Sequence, residues 1–467
     1  MENNHFQVAV IGAGPGGYTA AFRCADLGLT VALIDDSPVL GGVCLNVGCI
    51  PSKALLHVAE IISETKTLSK HGVVFSEPSI DIHSLIEWKD SIIKQLTSGL
   101  TSLAKKRNVK TIMARATFKD SHTLTLSNNS TITFENCIIA TGSSSATLPH
   151  LPSHSLIFDS TSALSPKRIP ESLLIIGGGI IGLEMACIYS SLGTKVSVAE
   201  FLPTLLPQVD AEISKPLMTS LMNKQVQLKL NTSVTSCAPT DHAVMAKLTH
   251  NETNKTEEQS FASVLVAVGR TPNSNISPEL AQVFRNEKGF IPSNDQMQTN
   301  AKHIYSIGDV KGQPMLAHKA SHEAKIAAET IAGKKSYFDV RTIPSVAYTD
   351  PEIAWCGITE KEAKLKNLPY LTQSFPWQAS GRALAVGAAS GITKIIVEPD
   401  TKRIMGMQIC GKNAGELIAE AMLAIEMGAD IHDLTHTIHP HPTLSETTSY
   451  SAEMVAGTIT DLYLNKK

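Results

Sequence analysis

A basic leader, a long uninterrupted apolar run, blocks of like charge and a dense set of cysteines are all missing from this chain. Its opening, MENNHFQVAVIG, has no basic segment leading into an apolar stretch and a small-residue cleavage site. No secretory or organellar address is therefore expected. The longest apolar candidate, LLIIGGGIIGLEMA, is broken by glycines and Glu184. It falls short of the ~18 residues a bilayer span needs, and a cytoplasmic protein with no membrane contact is the expectation. A net charge of −3 without like-charge runs argues against nucleic-acid and anionic-membrane partners. Eight cysteines in 467 residues are too few for a disulfide scaffold. Six of them, Cys24, Cys137, Cys187, Cys237, Cys356 and Cys410, stand singly among mostly apolar neighbours and read as core thiols.

What is present is an ordinary globular composition, 43% hydrophobic and 18% charged, at a length that suits about three domains. An ungapped internal repeat organises the first half. FQVAVIGAGPGGYTAAFRCADLGLTVALID (6–35) aligns with ESLLIIGGGIIGLEMACIYSSLGTKVSVAE (171–200). Gly12, Gly14 and Gly17 fall on Gly177, Gly179 and Gly182, and Asp35 falls on Glu200. Each copy reads as an apolar strand, a glycine turn, an alanine-rich helix and a second strand closing on a carboxylate, which is a βαβ unit.

Such a unit holds a dinucleotide. The first glycine makes the turn, the second admits the pyrophosphate and the third lets helix and strand pack, while the terminal acid meets the ribose hydroxyls. Two units imply two dinucleotides. FLPTLLPQ follows Glu200 with no arginine to meet a 2′-phosphate, so the second site is expected to prefer NAD to NADP.

Three further runs suit the same α/β architecture. CIIATGSSS and VLVAVGRTPN each close on glycine after one repeat, and TNAKHIYSIGDV reads as a strand ending at Gly308-Asp309. From Pro344 onward strands and helices alternate without a glycine phosphate loop, which predicts a separate α+β domain after a linker near 335–345.

The stretch GGVCLNVGCIPSKALL (41–56) carries the other two cysteines, Cys44 and Cys49. Zinc needs further soft ligands, and no second pair is present, so no metal is expected. Burial alone would not explain two thiols directly behind a dinucleotide loop. Pro51 is tolerated in a first helical turn and SKALLHVAEII continues as helix. A thiol at that helix start has its thiolate favoured by the dipole, as disulfide exchange requires. Near the C-terminus, HTIHPHPTLSE offers His439 and His441 in a loop stiffened by Pro440 and Pro442, with Glu446 following. An imidazole oriented by a carboxylate is a suitable base for a dithiol, and the pattern does not choose between the two histidines.

The cysteine stretch, both glycine units, ATGS, VAVGRTPN, IYSIGD and HPHPTLSE together resemble the pyridine nucleotide–disulfide oxidoreductases, in order and over essentially the whole chain. The resemblance implies two Rossmann-like dinucleotide-binding domains plus a C-terminal α+β dimerisation domain. Their boundaries would be 1–148 with 270–342 for FAD, 149–269 for NAD, and 343–467 for dimerisation.

Within the family the chain is most similar to the branch that oxidises dihydrolipoyl groups. The implied partners are the lipoyl-bearing acyltransferase of a 2-oxo-acid dehydrogenase complex and a second copy of this chain. Cys44 would be the interchange thiol and Cys49 the thiolate against the flavin. Lys53 would approach the flavin and pair with Glu184. Asp309, Ala317, Ala116 and Gly142 would lie along FAD, and Val234 and Gly269 along NAD. His441, with Glu446 behind it, would be the base serving the opposite subunit's cysteines.

Departures are few: Asp35 stands where the family often has Glu, and Cys356 where an aliphatic residue is commoner. NADPH-dependent relatives of the glutathione or mercuric type fit less well because Glu200 has no arginines near it, and TDLYLNKK lacks the vicinal cysteine pair that would suit a mercuric or thioredoxin-type reading. A flavin-only transhydrogenase would not need both cysteines. A non-catalytic structural subunit would not need the full set of reactive residues.

Overall fold

A computed structural model describes residues 4–463. The chain forms two compact units. One comprises the chain up to Ala54 with Asp81–Ala146 and Gly269–Asp339; the other comprises Leu55–Ile80, Thr147–Val268 and the chain from Val340 on.

The first unit is built on a mixed sheet. Strands Lys110–Met113, Val31–Asp35, His5–Ile11 and Thr131–Ile139 lie parallel in that order, and Ile304–Ser306 joins Thr131–Ile139 in parallel. The N-terminal half of Thr131–Ile139 turns antiparallel into Thr123–Leu126, which pairs with Ala116–Asp120. Alternation along His5–Ile11 sends Val8 and Val10 into one core with helices Pro15–Asp26 and Ala317–Ile331. Ala9 and Ile11 enter the core on the other face. Both faces are covered, which is why VAVI is continuously apolar rather than alternating.

In the second unit, Gln227–Lys229, Lys195–Ala199, Ser172–Ile176, Ser263–Val266 and Ile157–Asp159 form an all-parallel sheet around helix Ile180–Ser191. An antiparallel meander, Thr232–Pro239, Val244–His250 and Thr256–Phe261, packs its inner residues into the core with Leu174 and Ile176. The chain from Val340 on adds an antiparallel five-stranded sheet ordered Ser345–Ala347, Glu352–Gly357, Ile404–Gly411, Ile392–Val397 and Leu371–Pro376. Helices Ala414–Met427 and Glu446–Ala456 share its core.

The buried Lys394 connects this sheet to the NAD-type fold. Its Nζ meets Glu212 at 2.5 Å, Glu360 at 2.6 Å and Asp210 at 3.1 Å. A buried ammonium needs this much negative charge around it.

The helical run Gly42–His71 is long and apolar enough, by length and composition, to cross a membrane. Lys53, His57 and Glu60 interrupt its apolar residues.

Candidate active site

The two glycine loops have the same construction, with each glycine present for a different reason. Gly12 and Gly177 sit at φ +102° and +112°, and a Cβ on either would strike the carbonyl of Ala140 or Ala267. A Cβ on Gly17 or Gly182 would strike the carbonyl of Gly12 or Gly177, where helix and strand cross. Gly14 and Gly179 differ: both have extended backbone and nothing within 4 Å of an added Cβ. Neither strain nor packing within the chain asks for glycine there, so the space suits a pyrophosphate at the helix N-terminus.

The terminal acids close each loop in the same way. Asp35 accepts from the N–H of Ala13 at 2.6 Å and of Ser37 at 2.8 Å. Glu200, one residue past its strand, accepts from Gly178 at 2.5 Å and Leu202 at 2.8 Å. These contacts lead to a paired expectation for Gly14→Ala and Gly179→Ala. Stability should stay within about 1 kcal/mol of the parent. FAD affinity should fall about tenfold or more in the first variant and NAD affinity likewise in the second, read by melting and ligand titration. Gly17→Ala should unfold far more readily.

The cysteines lie on either side of a break in the helical run. Cys44 is on the short helix Gly42–Val47, and Gly48 ends it at φ −143°, ψ −109°. The long helix Cys49–Leu68 starts with the second cysteine. The sequence expectation of a thiol at a helix start therefore applies to Cys49, not Cys44. The two side chains meet. The Cys44 thiol is pushed far above its ordinary range, first by its hydrogen bond to Cys49, then by burial and by the neighbouring Cys49 charge, against a weaker pull from Lys53. The hydrogen bond and burial both disfavour a thiolate at Cys44. Cys49 is exposed and Cys44 half-buried.

The other six cysteines are all buried. Burial pushes Cys24, Cys356 and Cys410 up to about 12, and Cys187 and Cys237 up to about 11. They are inert beside the pair at 44 and 49.

The C-terminal histidines are separated by their partners. His439 has both ring nitrogens engaged by acceptors, Nε2 with Glu420 Oε1 at 2.6 Å and Nδ1 with the Thr437 carbonyl at 2.9 Å. Facing two acceptors it is held as the cation, its pKa raised chiefly by Glu420, and it has no lone pair for a substrate proton. His441 places Nδ1 2.8 Å from Glu446 Oε1, and its side chain is 76% exposed. Nδ1 carries the proton, leaving the Nε2 lone pair toward solvent. Burial opposes ionisation of Glu446, but the Thr443 N–H at 2.7 Å and His441 outweigh it and hold the carboxyl below its usual range. Tyr450 adds a third donor at 3.1 Å.

Residues 6–324 match the pyridine nucleotide-disulphide oxidoreductase family, and residues 343–452 match that family's dimerisation domain. The chain belongs to the pyridine nucleotide-disulphide oxidoreductase family. Proteins named dihydrolipoyl dehydrogenase are similar to it over nearly full length. The one from Buchnera aphidicola subsp. Schizaphis graminum is 51% identical, covering 99% of this chain and 98% of its own. The one from Vibrio cholerae is 48% identical, covering 98% and 97%. Among solved structures, the HOCl-induced flavoprotein disulfide reductase RclA from Escherichia coli superposes with a TM-score of 0.86 at 27% identity, covering 96% of this chain and 100% of its own. As a family member this chain is an oxidoreductase that uses FAD and NAD, and its dimerisation domain supports a homodimer.

The remaining expected residues of this oxidoreductase fall as follows. Gly142 and Gly269 sit at φ +68° and +128° with open space beyond them. Ala317 is the first residue of helix Ala317–Ile331. Ala116 and Val234 are core residues whose side chains belong to the two hydrophobic clusters. Lys53 lies in the first unit, and its Nζ donates to Ser52 Oγ at 3.4 Å. Glu184, in the second unit, is buried and accepts from the Tyr348 N–H at 3.1 Å.

Asp309 accepts from Ser143 Oγ at 2.5 Å through Oδ2 only. Ser143 in turn accepts from Arg270 Nε at 2.7 Å. Sequence reasoning missed Ser143, Arg270, Glu420 and Tyr450. Only Tyr450 carried a signal, since it lies one helical turn from Glu446.

Proposed function

We propose that the chain oxidises dihydrolipoyl groups carried by the acyltransferase of a 2-oxo-acid dehydrogenase complex, with NAD+ as final acceptor. The observation that carries this reading is the His441–Glu446 pair with its free Nε2, in a chain that also brings Cys44 and Cys49 together. His441 Nε2 takes the proton of a dihydrolipoyl thiol in the cleft of the homodimer, serving the cysteine pair of the opposite subunit.

The resulting thiolate attacks the Cys44 sulfur of the oxidised pair, and Cys49 leaves as thiolate. The second lipoyl thiol then displaces Cys44, closing the lipoyl disulfide and leaving the pair reduced. Lipoyl is oxidised by two electrons and the cysteines are reduced by two, so the exchange balances. Bound FAD would supply the electron-carrying chemistry between the reduced pair and NAD+. Gly12, Gly14, Gly17, Asp35 and Asp309 hold FAD in this reading. Gly177, Gly179, Gly182 and Glu200 hold NAD. The enzyme is assigned to the cytoplasm, with the complex it serves.

Steady-state rates test the reading. Dihydrolipoamide with NAD+ should turn over at least about a hundredfold faster than with NADP+, because a 2′-phosphate would meet the Glu200 carboxylate. Glutathione should be a poor substrate. Faster turnover with NADP+, or preference for glutathione over the lipoyl dithiol, would overturn it.

A further inference from the structure

Glu323 is completely buried, yet nothing in the reaction above uses it. Its carboxylate sits under the turn that carries Asp309. Oε2 accepts from the Gly308 N–H at 2.7 Å, and Oε1 accepts from Lys311 Nζ at 3.1 Å and pairs with Lys319 Nζ at 3.3 Å. Lys319 Nζ also donates to the Gly312 carbonyl at 3.1 Å. Both ends of the Gly308–Gly312 turn are thus fastened to the first turns of helix Ala317–Ile331. Burying a carboxylate costs free energy unless it is paired and hydrogen-bonded, and here two ammonium groups and a backbone donor satisfy it.

The turn depends on a glycine conformation that the chain can also leave, since glycine is free on both sides of φ zero. Gly308 sits at φ +71°, and Asp309 immediately follows. From the other side Ser143 Oγ holds Asp309 Oδ2 at 2.5 Å, itself fixed by Arg270 through Nε at 2.7 Å and through Nη2 to the Ser143 carbonyl at 2.5 Å. Asp309 is therefore held from two sides, through the Gly308 N–H that Glu323 fixes just before it and through one of its own oxygens by Ser143. Its other oxygen has no partner among the described residues.

We infer that Glu323 is a positioning residue: it locks the Gly308–Asp309 turn so that the free Asp309 oxygen is presented to the hydroxylated chain of the flavin. The inference rests on the assignment of Asp309 to FAD above. Glu323 touches no cofactor and acts through Asp309 alone, which separates it from a residue that merely stabilises the core.

The test is a double-mutant cycle on the holoenzyme, with FAD affinity read from the fluorescence of flavin released on serial dilution. Glu323→Gln keeps the shape of the side chain and removes its charge, and should weaken FAD binding about tenfold. Asp309→Ala should weaken it at least as much. In the Asp309→Ala background, Glu323→Gln should add less than about twofold, because the group it positions is gone. If the two losses simply add, or if Glu323→Gln lowers the melting temperature with FAD affinity unchanged, the inference is wrong while the Asp309 assignment stands. If Asp309→Ala binds FAD normally, the assignment falls and the inference with it. Should Glu323→Gln not fold, Ser143→Ala probes the other grip: its loss of affinity should likewise vanish in the Asp309→Ala background, and an additive loss there overturns the positioning account.

Discussion

Cys49→Ser is expected to cut the oxidation of dihydrolipoamide by NAD+ by about 10⁴-fold or more, while FAD binding and flavin reduction by NADH survive. The size of the effect follows from the exchange chemistry. A hydroxyl cannot form the sulfur–sulfur bond, so the incoming lipoyl thiolate has no electrophilic sulfur to attack. The survival of the other half-reaction follows from the architecture. The glycine loops at Gly12 and Gly177 and the acids Asp35 and Glu200 are fixed by contacts that exclude the cysteine side chains.

Cys44→Ser should lose lipoyl turnover to the same extent but differ in one readout. Only in Cys44→Ser does the cysteine at the long helix's N-terminus remain, freed from the thiol of its partner. With FAD removed from both variants, Cys49 should then react with iodoacetamide faster than Cys44 does in Cys49→Ser, since its place at the helix start and its exposure both favour it. Mass spectrometry of the alkylated variants reads the difference. Faster alkylation at Cys44 in these FAD-free proteins would show that the helix start does not favour a thiolate at Cys49.

Much of this site was legible because its parts are local in sequence. Each glycine unit contains its own turn, helix and acid within thirty residues, and the hydrogen bonds from Asp35 to Ala13 and from Glu200 to Gly178 reproduce the aligned repeat. The cysteine pair is equally local. The helix start expected around Pro51 falls at Cys49, and Gly48 puts Cys44 on a separate short helix before it.

The residues that only the structure revealed depend on distance along the chain. Ser143 and Arg270 are 127 positions apart, Ser143 and Asp309 166, and no periodicity connects them. Lys319 and Glu323 did carry the i,i+4 spacing of a helix ion pair. That spacing usually marks a solvated face, and here both residues are buried because Gly308 and Gly312 lie over them. The choice between His439 and His441 had the same character. Pro440 adjoins both, and what separates them is Glu420, on a different helix.

That separation carries the second large effect. His441→Gln should slow dithiol oxidation about 10³-fold with flavin content unchanged, whereas His439→Gln should stay within a few-fold of the parent. The more diagnostic variant is Glu446→Gln. The Thr443 N–H donates to Oε2, so the glutamine must turn its carbonyl that way and its amide NH2 toward the Oε1 position, where His441 Nδ1 sits. Tyr450 can reverse its hydroxyl and accept from the same NH2. Facing a donor, Nδ1 becomes the acceptor and the ring proton moves to Nε2, the position that has to receive the substrate proton. Glu446→Gln should therefore lose about 10² to 10³-fold, approaching the loss in His441→Gln. Glu446→Ala leaves Nδ1 to water and both tautomers accessible, and should lose only about tenfold. Single-turnover reduction by dihydrolipoamide measures the three variants directly. Equal losses in the glutamine and alanine variants would mean that Glu446 acts through its charge alone, and a glutamine variant faster than the alanine variant would overturn the tautomer account.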